Sequence, residues 1–243
     1  MPPALASLLI ESAAARPVDD HIWSVLAPGE VGQRYDGRAR AYDALIGNRL
    51  YNALAWGTSP TSYAAFARAA ARHGSGPLLD AGCGTLVSTA AVHAGSGRLT
   101  VLVDLSLDML AAGRDRIRAL TGGVADHLWF LQADLNNLPF RKQAFGAVLN
   151  PGMLHLFADF ETVTAELARV TAPEGAIFLS SLVDDRWLGA RYLALLHRAG
   201  EVAVPRSFAQ LTRRLNASGS GLATPVDARR EGNMAFVTAQ PAG

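Results

Sequence analysis

The sequence predicts an α/β fold: a mostly parallel sheet wound with helices, closed by an antiparallel strand and preceded by a helical N-terminal segment. Three observations predict it. From Pro77 onward, short apolar runs alternate with longer stretches of helical spacing, the pattern of a sheet covered on both faces. The first of these runs, Pro77-Leu78-Leu79-Asp80, empties into Ala81-Gly82-Cys83-Gly84-Thr85. Glycines there let the backbone turn tightly and approach a ligand without a Cβ in the way. A strand, such a turn and a helix build the ligand crevice of an open α/β sheet. Third, the chain ends on two strand-like runs, near 221–230 and 232–239, split by the turn residues Glu231-Gly232-Asn233.

Residues 1–75 read as helical. Leu5, Leu8 and Leu9 suggest a short amphipathic helix that stops near Arg16-Pro17. Arg34 to Leu54 carries Tyr35, Tyr42, Leu45, Ile46 and Leu50 at three- and four-residue spacings. Tyr35 and Tyr42 share a helix face and are expected to close over the crevice as a lid that helps form an acceptor site. Ser59 reads as an N-cap before Pro60, with a helix running to His73 and Gly74 at its end. Strands follow at 77–80, 99–103, 127–132, 145–150 and 175–181. Helices are expected over 86–95, 106–121, 160–171, 186–200 and about 206–217. The expected division is a lid and acceptor segment over 1–75 and a ligand-binding domain over 76–243, in one compact unit.

Hydrophobic residues make up 50% of the 243 and charged residues 18%, with net charge +1. That describes a globular chain without the basic block that tracks nucleic-acid phosphates. The one cysteine, Cys83, excludes a disulfide framework and chemistry that needs several thiols. No base is evident beside it, so it reads as a small filler between two glycines. Neither a signal peptide nor a membrane span is read, and the expected location is the cytoplasm. The expected partner is a small molecule, not nucleic acid, and the expected assembly is a monomer or homodimer.

Three acids carry the ligand argument. Asp80, just before the glycines, repels a diphosphate and attracts a cation. Asp104 ends the next strand, 20 residues beyond Gly84. An acid there accepts both hydroxyls of a ribose, and the spacing serves NAD equally well. Asp134 ends a third strand, where an acid by itself also reads as the cap of a turn.

Together these pieces resemble the class I S-adenosylmethionine (SAM) dependent methyltransferases, in the ubiquinone-biosynthesis-like, small-molecule branch. Leu79-Asp80-Ala81-Gly82-Cys83-Gly84 resembles their motif I. Leu105-Ser106-Leu107-Asp108-Met109-Leu110 resembles the start of their next helix, with Ser106 as N-cap. Ala133-Asp134-Leu135-Asn136-Asn137-Leu138-Pro139-Phe140 is similar to their Ala-Asp-x-x-x-Leu-Pro-Phe segment. Phe145 to Phe157 and Glu166 to Gly175 resemble their fourth strand, following helix and turn. Arg34-Tyr35-Asp36 and Ala41-Tyr42-Asp43 resemble a paired Tyr-Asp entry.

The resemblance covers about 77–240. It implies a Rossmann-like methyltransferase sheet, SAM as cofactor and S-adenosylhomocysteine (SAH) as product. It also implies methyl transfer to an O, N or C atom of a small organic molecule such as a secondary metabolite. Cofactor contacts are implied for Asp80, Gly82, Cys83, Gly84, Asp104, Leu105, Asp134, Leu135, Asn150 and Tyr35, with Asp134 at the adenine amino group and the Leu135 amide at a ring nitrogen. Three departures stand out. Leu86 occupies a frequent glycine position and is expected to thicken the loop beside the cofactor; Gly146 follows Phe145 where Asp is usual; Glu174 replaces a turn glycine.

Methyl transfer is an in-line displacement on a sulfonium, and positioning supplies much of its rate. If a base is used, His155 is the candidate, just past the fourth strand on the ligand edge. The family often carries His there without catalytic use. No metal is expected. Asp185 reads as the cap of a helix beginning at Arg186-Trp187, the fourth strand ends in Asn150 and not a carboxylate, and Asp19-Asp20-His21 reads as a solvated loop. Two other readings stay open. One is a SAM-binding protein that transfers no methyl, a cyclase or ligand sensor, for which Leu86 and the lack of an evident base leave room. The other is an NAD-dependent oxidoreductase, against which Asp80, the Asp134 segment and the closing strands argue.

Overall fold

A computed structural model describes residues 2–27 and 52–243. Their strands form one nine-stranded sheet in the order β1-β2-β5-β4-β3-β6-β7-β9-β8. The strands are β1 (Arg16–Asp19), β2 (Ile22–Ser24), β3 (Leu78–Ala81), β4 (Thr100–Asp104), β5 (Leu128–Gln132), β6 (Phe145–Asn150), β7 (Thr171–Leu182), β8 (Asp227–Glu231) and β9 (Met234–Ala239). From β2 to β7 all neighbours are parallel. The β1–β2, β7–β9 and β8–β9 pairs are antiparallel. The helices are α1 (Pro3–Ala6), α2 (Pro60–Arg72), α3 (Ala90–Ser96), α4 (Leu107–Thr121), α5 (Phe160–Val170), α6 (Trp187–Arg198) and α7 (Phe208–Leu215).

Side chains alternate across the pleat, so each strand feeds two cores. Leu79, Val101, Val103, Val148 and Ile177 meet Phe160, Val163 and Leu167 of α5, with Leu211 and Leu215 of α7. On the opposite face, Leu78, Leu149 and Phe178 meet Phe66 and Ala70 of α2. There too, Leu102 and Phe130 meet Ala90 of α3 and Leu110 and Ile117 of α4. Serine caps start the helices where the sequence places them. Ser59 accepts from the Thr61 amide and Ser106 from the Met109 amide. No helix among the described residues is long and apolar enough to cross a membrane.

The reading of residues 1–75 as helical is corrected over 16–24. There the chain makes a hairpin, and β2 adds in parallel to β5 at the sheet's end. Asp19 and Asp20 of its turn are no open loop. Arg114 of α4 donates to Asp19 at 2.5 Å and Arg118 of α4 pairs with Asp20. Leu5, Leu8 and Leu9 are buried in the main core, and Leu9 bridges to Phe140. Residues 2–27 are thus part of the sheet domain. Tyr35 and Tyr42 lie outside the described residues.

One sequence departure has a steric cause. A Cβ on Gly146 would lie 1.7 Å from the Ser75 carbonyl oxygen. The 73–77 turn sits that close because Arg98 gathers it. Its guanidinium donates to the carbonyls of Ala70, Ala71, His73, Ser75, Gly76 and Pro77, closing the end of α2. Two motif pieces also meet. Arg169 of α5 donates to the Leu138 and Phe140 carbonyls, and Glu166 accepts from the Leu138 amide. Gly146→Ala is expected to lower the unfolding free energy by about 2–4 kcal/mol, read as a shifted urea midpoint at unchanged slope. An unshifted midpoint would mean that the 73–77 turn yields freely.

Candidate functional site

Sequence order reverses between β3 and β6, the switch point where open α/β sheets bind ligands beyond their carboxyl ends. The loops after β5, β4, β3 and β6 lie side by side there, so Asp134, Asp104, the glycine turn and Asn150 line one edge in that order.

The glycine turn folds back onto β4. The Gly82 and Cys83 amides both donate to the Val103 carbonyl, at 2.8 and 2.9 Å. The Gly84 amide donates to Asp104 Oδ2 at 2.9 Å, and the Ser106 amide to Oδ1 at 3.0 Å. Gly82 and Gly84 have φ of +78° and +53°. A Cβ on Gly82 would strike the Met153 side chain, its Cγ 2.6 Å away, whereas a Cβ on Gly84 would meet open space. The crevice therefore keeps free volume at Gly84, beside the Asp104 carboxylate. Burial raises the Asp104 carboxyl above its usual range against the pull of the Ser106 and Gly84 amides.

Asp80 differs from a crevice anion. It is fully buried, and its Oδ2 lies 2.7 Å from Nε2 of the equally buried His93 on α3. Its Oδ1 has no hydrogen-bond partner among the described residues. Asn150 is also fully buried; its side-chain amide donates to the Ala81 carbonyl at 2.6 Å and ties β6 to β3. Asp134 is half-buried and accepts from the backbone and side-chain nitrogens of Asn136, both at 2.9 Å, which is a turn-capping geometry. Leu105 is 41% exposed beside Asp104, while Leu135 is buried. Burial pushes the Cys83 thiol well above its ordinary value, which leaves it a filler. Tyr35 lies outside the described residues.

His155 sits in a short 3-10 turn after β6 (Leu154–Leu156). Its Nδ1 accepts the Leu182 amide at 3.4 Å, which assigns the proton of the neutral ring to Nε2. Burial, and then the nearby Arg206 charge, push the imidazole down from 6.5 to about 4. No cluster of potential metal ligands occurs among the described residues. Asp185 does not cap α6; it accepts the Phe208 amide at the start of α7, at 2.7 Å.

Leu86 does not thicken the crevice. It adopts φ +57° and is 1% exposed, packed against α4 where Gly113 leaves room. Three contributors escaped sequence reasoning. Gln132 donates to the Leu105 carbonyl at 3.0 Å and accepts from Ser24 at 2.8 Å, bracing the loop after β4. Met153 covers Gly82, and His93 holds Asp80. A polar residue ending an apolar strand was the available signal for Gln132, and a lone histidine on a small-residue helix for His93.

A parallel sheet with this switch point, this glycine turn and an antiparallel closing pair defines the Rossmann-like methyltransferase fold. Residues 79–179 match the family model described as a methyltransferase domain. Demethylmenaquinone methyltransferase of Mycobacterium marinum is 34% identical over 151 residues, 62% of this chain. That of Clavibacter sepedonicus is 34% identical over 152 residues, 63% of the chain. The chain spans 58% of the length of each relative. Geranyl diphosphate C-methyltransferase from Streptomyces coelicolor A3(2), solved with Mg2+, geranyl-S-thiolodiphosphate and SAH, superposes with TM-score 0.59 at 16% identity, over 75% of this chain and 76% of that one. A geranyl diphosphate methyltransferase solved with SAM gives 0.60 at 18% identity, over 87% and 93%. The cyclase SpnF gives 0.62 at 18% identity, over 88% and 96%. These likenesses establish the fold.

The His155 shift has a stability consequence. Its folded value of about 4 lies below 6.5, so folding favours the neutral ring. That contribution is complete above pH 6.5 and is lost as pH falls through about 4. His155→Asn is expected to remove about 1–3 kcal/mol of acid-side destabilisation between pH 7 and pH 4, measured by urea unfolding at each pH. Identical pH profiles for wild type and variant would place the titration elsewhere.

Proposed function

We propose that this protein binds SAM at the edge of β3, β4 and β5 and transfers its methyl group to an O, N or C atom of a small organic acceptor. One observation carries the reading: open space at Gly84 directly beside the Asp104 carboxylate, with Asp134 ending the strand beyond. The residues fit the group. Each Asp104 oxygen spends one bond on a backbone amide and retains capacity for a ribose hydroxyl. Asp134 and the Leu135 amide would hold the adenine edge, and exposed Leu105 would offer it an apolar face. SAM supplies an electrophilic methyl on a sulfonium. Asp80 and Asn150 contribute from beneath by fixing the ends of β3 and β6.

His155 serves this chemistry as a positioning group, not a base. Its only lone-pair nitrogen already faces the Leu182 amide, and the remaining nitrogen carries a proton. The demethylmenaquinone and geranyl diphosphate relatives act on small molecules by name, which supports a small acceptor here. A cytoplasmic location and an acceptor role for the segment holding Tyr35 and Tyr42 belong to the same proposal.

Calorimetry tests the cofactor. SAM or SAH should bind at micromolar concentration and NAD should not; the reverse result ends this reading. Asp104→Ala should weaken SAM by about 1–3 kcal/mol as charge-assisted bonds are lost, and an unchanged dissociation constant in the folded variant would take Asp104 out of the site. A general base typically supplies about 10²–10⁴-fold in rate. His155→Ala should therefore cost less than about 10²-fold in turnover, and a larger loss at constant SAM affinity would restore His155 as the base.

A further inference from the structure

A second concave region lies beyond the glycine turn, on the same carboxyl edge. A cavity of about 430 Å³ opens between the turn after β6 and the start of α7, with Ala158, Val204 and Pro205 as apolar lining and Arg206, Arg213 and Arg214 around it. That volume is within the range of small-molecule sites, about 300–1,000 Å³.

The arginines are held in place. Arg206 donates to the Phe157 and Ala158 carbonyls at 2.6 and 2.9 Å, and to Leu154 at 3.4 Å. Arg214 is gripped by Glu161, its Nε 2.5 Å from Oε1, and also donates to the Ala158 carbonyl. Both guanidinium groups lie over the fully buried Phe160 ring, at 5.0 and 4.3 Å from its centre. Arg213 is exposed, and no described carboxylate pairs with it or with Arg206. The carboxylates nearby are already engaged. Glu161 holds Arg214, Asp159 accepts the Thr162 hydroxyl, and Asp185 accepts the Phe208 amide. The charged residues among those lining the cavity are these three arginines. Burial, and then the Arg214 charge, lower the Arg206 guanidinium, so these like charges are held together against repulsion. A guanidinium has more donors than Arg206 spends on its carbonyls.

We propose that this cavity is a subsite for an anionic group on the acceptor: a carboxylate or phosphate attached to an apolar body. The arginines bind the anion, and Val204, at 63% exposure, with Ala158 and Pro205 takes the hydrocarbon next to it. The subsite reaches the reaction edge through Arg206, which brackets His155 by bonding to the carbonyls of Leu154 and Phe157 on either side. It narrows the small-molecule acceptor of the proposed function to organic acids or organophosphates, and it rests on that reading for its role in turnover.

The test uses full-length protein with octanoate, octyl phosphate, 1-octanol and inorganic phosphate as probes, by calorimetry at fixed ionic strength. Octanoate and octyl phosphate should bind at least about tenfold tighter than octanol or inorganic phosphate, because only they satisfy both halves of the site. Arg213→Gln, an exposed position where folding is undisturbed, should lose about tenfold in octanoate affinity, and Arg213→Lys should regain part of it. Arg213→Glu provides a stronger second variant and should abolish the preference. SAH titrations on the same samples separate the two proposals. Undiminished SAH binding with no preference for octanoate over octanol overturns the subsite and leaves the methyltransferase reading standing. Absent SAH binding with Arg213-dependent octanoate binding overturns the latter alone. Arg213-dependent binding to phosphatidylglycerol vesicles, without binding of the free octyl probes, would make the site a membrane contact and reject the small acceptor.

Discussion

The crevice depends on how the chain leaves a buried parallel strand. A turn off β3 strands several amides, and amides buried without partners are costly. Here Val103 takes two of them and the Asp104 side chain takes a third. Asp104 is therefore a structural acceptor before it meets any ligand, and its place at the crevice is set by the same bonds that fold the turn. Left-handed backbone at Gly82 and Gly84 allows this stitch. At Leu86 the left-handed turn continues without a glycine, at a cost of about 1–2 kcal/mol. Full burial of a leucine offsets it by about 1.5–3 kcal/mol. The residue that looked like an obstruction in the crevice is an anchor facing away from it. It also explains why α3 begins at Ala90, four residues after its expected start.

Asp80 shows how a motif acid can act out of sight of solvent. Paired with His93 at full burial, it presents no open charge to a ligand. Removing one partner leaves the other's buried polar atom without its hydrogen bond, at a cost of about 1–3 kcal/mol. The pair ties α3 to the strand that carries the glycine turn, and the anionic character of the crevice surface falls to Asp104 and Asp134.

The parallel strands and most helices were legible because each has its own period and its own punctuation. Helix α4 has Ser106 before it and Gly122 after it, and β6 is bounded as expected. The β1–β2 hairpin was not legible. Three residues, Ile22-Trp23-Ser24, are too few to show alternation, and their strand character comes from pairing with β5. In the site, types and spacing marked the strand-end acids and glycines, since those follow from local chain geometry. The contacts of His93, Met153 and Gln132 were hidden, because each joins its target across 13 to 108 positions, which no local pattern records.

Arg206 connects the two halves of the carboxyl edge. Its donors organise the turn after β6, and its backbone carbonyl accepts the Asp184 amide after β7, so one residue ties the ends of both strands together. Its charge also keeps His155 neutral, adding to the effect of burial. An imidazole whose acceptor nitrogen is occupied and whose basicity is that low is a poor proton acceptor at neutral pH. For the proposed methyl transfer, such a site would favour acceptors that are nucleophilic without help, held in line by their substituents. Positioning then has to come from binding energy away from the reacting atom. The proposed subsite would supply such energy, since arginines and apolar side chains line one small volume there.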